Sequence, residues 1–83
     1  MSSGYTAALE DLYSIVLFFR ESTEDEELFE ALDAILRRIE DFLLSEHDDR
    51  ESLEFLKELY TLVMSNPLTK FLGVYIRDYI PGR

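Results

Sequence analysis

The chain has 83 residues, 18 of them Asp or Glu against 8 Lys or Arg, for a net charge of -10, and 47% of it is hydrophobic. With no cysteine there is no disulfide framework, thiol nucleophile or thiolate metal site, and so acidic a surface opposes phosphate backbones and with them direct nucleic-acid binding. The longest apolar run, Ile15-Val16-Leu17-Phe18-Phe19, falls far short of the roughly 18–20 residues that span a bilayer, and no basic side chain precedes the first apolar stretch as a leader peptide would require, so the expectation is one cytoplasmic domain over 1–83 without membrane insertion.

Apolar residues recur every three or four positions, which predicts an all-α protein. The first helix is expected over about 5–20, with Leu9, Leu12, Val16 and Phe19 on one face and Ala8 and Ile15 widening it. Ser3 or Thr6 is placed to cap its start. At about 100° per residue, Phe18 falls opposite that face, beside Glu10, Asp11 and Ser14, and Leu17 lies on a shoulder. The joint that follows carries Glu21, Glu24, Asp25, Glu26 and Glu27 and no base. Ser22 with Asp25, or Thr23 with Glu26, has the form of an N-terminal cap with an acid three residues on. Helix starts favour negative charge, so local physics accounts for this run, and a rim for a basic partner is its competing use.

The second helix, about 24–45, has the cleanest pattern: Leu28, Leu32, Ile35, Ile39 and Phe42 form a heptad seam, flanked by Leu36 and Leu43. Asp33 and Arg37 make an i,i+4 pair in the favourable order. At the next joint, Asp48 with Glu51 fits a capping box. The third helix, about 50–64, places Leu53, Leu56, Leu59, Tyr60 and Val63 on one face, with Phe55 and Leu62 at its far edge. Its apolar arc is about 200° wide where a surface helix needs about 100°. Asn66-Pro67 then reads as a cap followed by a proline in the first helical position. The fourth helix, about 67–79, has Leu68, Leu72, Tyr75 and Tyr79 on one face, broadened by Phe71 and Ile76, with Gly73 in its middle and a tail over 80–83. The expected architecture is a compact antiparallel bundle of four helices, three long and one shorter, in which the last packs within the bundle or across it.

Little chemistry is legible. His47, the only histidine, stands beside Glu46, Asp48 and Asp49, but neither H-E-x-x-H nor EF-hand spacing occurs. The carboxylate pairs Glu10-Asp11, Glu40-Asp41 and Asp48-Asp49 lie on polar faces, where nothing separates their pKa values for acid–base work. No Glu-x-x-His pair, glycine-rich phosphate loop or serine with a nearby base is present. The reading is therefore a non-enzyme without metal, cofactor or small-molecule substrate.

The aromatics say more. Most fall at core spacing, Tyr60, Phe71 and Tyr75 among them, but Phe18, Phe29, Phe55, Leu17, Leu44 and Leu62 sit at or beyond the edges of their apolar faces. Six such residues exceed what a small acidic surface normally shows, and aromatics are favoured in buried interfaces. The expected function is a protein–protein interaction module, an adaptor, regulator or complex subunit, that binds through Phe18, Phe29, Phe55 and Leu62 with the acids at 21–27 as rim. A homodimer is the first partner expected. The alternative is an acidic nucleic-acid mimic that occupies a basic cleft. A high-salt habitat is a third source of acidity, since only two of the eight bases are Lys.

Overall fold

The computed structural model describes residues 4–81. Four helices pack together, α1 (Gly4–Ser22), α2 (Glu26–Leu44), α3 (Asp49–Met64) and α4 (Gly73–Arg77), with a 3-10 turn at Lys70–Leu72. No strand forms among the described residues, and helix takes up 79% of the structure, in line with the all-α reading of the periodicity. Among the described residues no helix is long and apolar enough to cross a membrane. Ser3 and Arg83 lie outside the described residues.

The caps explain where the helices begin. Asp25 starts α2: its carboxylate accepts the N–H groups of Glu27 and Leu28, and the Thr23 hydroxyl accepts the N–H of Asp25 itself at 3.1 Å. The cap is thus Asp25 and not Ser22 or Thr23, because Thr23 is used to turn the chain into Asp25. Ser22 instead closes α1 by donating to the Phe18 carbonyl. At α3 the capping box forms as its spacing predicts, with Asp48 accepting from Glu51 N–H at 2.8 Å and Glu51 accepting from Asp48 N–H at 3.0 Å.

The core follows from the seam of α2. Leu32, Ile35, Leu36 and Ile39 are buried against Ala8, Leu9, Leu12 and Val16 of α1 and against Phe55, Leu56, Leu59 and Val63 of α3. α1 packs closely on both α2 and α3. The α2 and α3 backbones stay farther apart and meet through long side chains, with Phe42 stacked on Phe55 at 4.4 Å and Arg38 reaching Glu58 at 3.9 Å. A thickness of 15 Å is about that of two helix layers. Thr6 of α1 and the wholly buried Ser52 of α3 share a hydrogen bond of 3.1 Å, and Ser52 also donates to the Asp48 carbonyl. This satisfies the one polar side chain that α3 buries.

The fourth element departs from the expected continuous helix over 67–79. The Asn66 side chain accepts the Leu68 N–H, and the buried Thr69 hydroxyl donates back to the Val63 carbonyl at 3.0 Å. That bond adds to the one of 3.4 Å that the Val63 carbonyl accepts from the Asn66 N–H at the end of α3 and holds the chain in a turn through 66–69, so helical structure starts only with the 3-10 turn. Downstream, Tyr79 and Ile80 make i to i−3 bonds to Ile76 and Arg77, so 78–80 is a turn. Leu72 and Ile76 are consequently the buried pair, while Leu68, Phe71 and Tyr75, expected in the core, are exposed. Gly73 is buried against α3: a Cβ there would lie 2.5 Å from the Met64 sulfur, so a larger residue is accommodated only if the flexible Met64 side chain moves.

Candidate functional site

The surface that stands out is built where the end of α1 meets the 3-10 turn and α4. Phe18 is 66% exposed and touches Phe19 edge-on at 5.6 Å. Phe19 in turn meets Phe71 edge-on at 5.0 Å and Tyr75 at 6.0 Å. Phe71 and Tyr75 keep 39% and 37% of their surface in solvent, and Val74 beside them is also exposed. Edge-to-face contacts of this kind hold rings in place at low energetic cost, so the surface presents ordered aromatic faces.

Arg20 ties this cluster to α2. Its guanidinium donates to Glu21 Oε2 at 2.7 Å and to Asp33 Oδ1 at 2.6 Å, and its Cζ stands 5.3 Å from the centre of the Phe29 ring, within cation–π range. Asp33 also accepts from Arg37 at 2.9 Å. Hydrogen bonds from Arg37 and then Arg20 hold the Asp33 carboxyl below its ordinary pKa, and those to Glu21 and Asp33 raise that of Arg20. Phe29 is thereby joined to the Phe18 end of α1 through Arg20. On the far side, Tyr79 reaches Asp11 at 3.5 Å, and burial followed by the neighbouring Asp11 raises its phenol pKa.

Of the residues expected to bind a partner, the structure therefore brings Phe18 and Phe29 to one end of the molecule. It removes Phe55 from the set: the ring is 9% exposed and stacks on Phe42 in the core. The wide arc of α3 is wide because α3 faces α1 on one side and Phe42 of α2 on the other. Leu62 is exposed but elsewhere, in a shallow groove of about 200 Å³ between α2 and α3 lined by Ala31, Ala34, Ile35 and Arg38. Leu17 is half-buried on the core, and Leu44 stands alone in solvent. Of the acids at 21–27, Glu21 pairs with Arg20 and Asp25 caps α2, whereas Glu24, Glu26 and Glu27 are exposed.

Phe71, Tyr75 and Val74 are the members of the surface that helical spacing missed. The signal was Asn66-Pro67 followed by Thr69: a side-chain turn there shifts the register of everything after it. The carboxylate-rich joint at Ser45–Glu51 is another concave region, but several of its polar groups are already committed. His47 Nδ1 donates to the Ser45 carbonyl at 2.8 Å and its ring lies on Phe42, while Asp48 and Glu51 cap each other. Among the described residues no group of three or more His, Asp or Glu is placed to hold a metal ion. No family model matches the chain, and no curated protein or solved structure matches it significantly.

Proposed function

We propose that this chain is a non-enzymatic protein–protein interaction module that binds through the aromatic surface at the end of α1. The observation that carries this reading is the unbroken run of ring contacts from Tyr75 and Phe71 through Phe19 to Phe18, which ends in the most exposed aromatic ring of the protein. Complete burial of a Phe stabilises by about 1.5–3 kcal/mol. Four side chains already about half covered then supply roughly 3–6 kcal/mol, against an association cost of about 4–15 kcal/mol. Aromatic burial alone therefore gives weak binding, and the charged edges decide affinity and partner.

The antiparallel arrangement of α1 and α2 belongs to the same reading, supported by the three-residue joint Thr23–Asp25 and by Arg20 reaching Asp33 across it. A cytoplasmic setting agrees with the lack of cysteine. The mimic reading is weakened by the use of Asp25 as a cap and of Glu21 as the partner of Arg20.

Capture from nuclease-treated extract, washed at roughly 0.5 M salt where exposed charge pairs are screened, tests the proposal. Partners that persist, and vanish with Phe18→Ser and Tyr75→Ser, are the expected result. Partners that wash away, yet ignore both substitutions, would move the assignment to the acidic mimic.

A further inference from the structure

Resting on that reading, we propose that the occupant of the aromatic surface is a second copy of this chain, related by a two-fold axis that brings the acidic edge of each copy against the basic edge of the other. The surface has a polarity. At the Phe29 end, Glu24 of the preceding turn and Glu26 and Glu27 in the first turn of α2 are all exposed, and none is in an ion pair with any described residue. At the opposite end, Lys70 adjoins Phe71 and Arg77 follows Tyr75 by two residues, both exposed, with Asp78 the one acid next to them in sequence, so that edge carries a net positive charge. Neither Lys70 nor Arg77 is in an ion pair with any described residue; the same holds for Arg50 and Lys57 of α3, but only Lys70 and Arg77 adjoin the exposed rings in sequence. In a chain with 18 acids, two bases flanking the exposed rings are thus left without a carboxylate.

A surface ordered acid, aromatic, base is its own complement. When the two-fold axis lies in the contact plane, across the line from Phe29 to Tyr75, rotation reverses that line. Lys70 and Arg77 then face the Glu24–Glu27 segment of the second copy, and the reverse contact follows by symmetry. A uniformly basic partner would satisfy the acids but set like charges against Lys70 and Arg77, and a uniformly acidic one would do the opposite. The net charge of -10 on each copy repels over distance, but that repulsion is screened beyond about 8 Å at physiological salt, whereas the edge contacts act at shorter range.

Sedimentation equilibrium of the full chain at micromolar concentrations, with circular dichroism to confirm folding, tests this. The expected result is a concentration-dependent mass that rises above 9.8 kDa toward twice that value, with association about tenfold weaker or more in Phe18→Ser. The double variant Lys70→Glu with Arg77→Glu should associate poorly by itself, as should Glu26→Lys with Glu27→Lys. An equimolar mixture of the two should pair with affinity close to that of the unchanged protein. If Glu26→Lys with Glu27→Lys does not fold, Glu26→Gln with Glu27→Gln should weaken self-association in the same direction. A strict monomer, or a mixture that fails to pair, overturns the proposal. A monomer that still captures a different protein through Phe18 and Tyr75 overturns self-pairing and leaves the interaction reading standing. A dimer indifferent to Phe18 and to both charge sets overturns both.

Discussion

Ile39 has no solvent exposure and lies where α2 meets α1 and α3. Truncating it to Ala removes buried methyl groups and leaves a cavity that close-packed neighbours fill only in part, so a loss of about 2–5 kcal/mol is expected. For a domain with about 5–15 kcal/mol of stability that loss is severe, and a urea melt reads it directly. Phe18→Ser should change the same melt by less than about 0.5 kcal/mol, as surface substitutions do, because its exposed ring serves contact more than folding. The buried set of α2, Leu32, Ile35, Leu36 and Ile39, was legible from spacing, since a seam of this regularity leaves one face to bury. Phe55 was not. Spacing ranks it at the rim of the α3 arc, and only the Phe42 ring arriving from α2 turns that rim into core.

Among the elements, caps account for much of what could be read in advance. The Asp48–Glu51 box satisfies two N–H groups at once, and Asp48→Ala should cost about 0.5–2 kcal/mol, measured as a fall in urea midpoint with unchanged slope. The fourth element was misjudged for a physical reason. Asn66-Pro67 signals a helix start equally well as a turn, and the choice is made by Thr69, whose hydroxyl finds the Val63 carbonyl. That partner lies on another element, so no local pattern discloses it. The slip in register also hid half of the candidate surface, because Phe71 and Tyr75 had been assigned inward. Thr69→Val keeps the shape and removes the donor. It should loosen the turn and lower stability by about 0.5–1.5 kcal/mol, since the hydroxyl's hydrogen bond is lost while the Val63 carbonyl keeps the Asn66 N–H at 3.4 Å.

For the whole molecule, charge and helix placement set the response to conditions. The depressed pKa of Asp33, due first to Arg37 and then to Arg20, means that its contribution is fully present above the unfolded-state value and fades as pH falls through the lower folded-state value. The stability difference between the unchanged protein and Asp33→Asn should therefore hold near neutrality, begin to shrink as pH falls toward about 4, and vanish only below the lower folded-state value, as acid-series urea melts would reveal. The position of α1 between α2 and α3 has a further consequence for how the molecule breathes. α1 packs chiefly on the two other long helices, whereas α4 has five residues, too few to persist once detached. Amide protons of α1 around Leu12 should exchange with deuterated solvent only on global unfolding, while those of Val74–Arg77 exchange through a local opening of much lower free energy. Half of the aromatic surface thus rides on the most easily opened part of the chain, and a partner seated there should slow exchange in α4 far more than in α1.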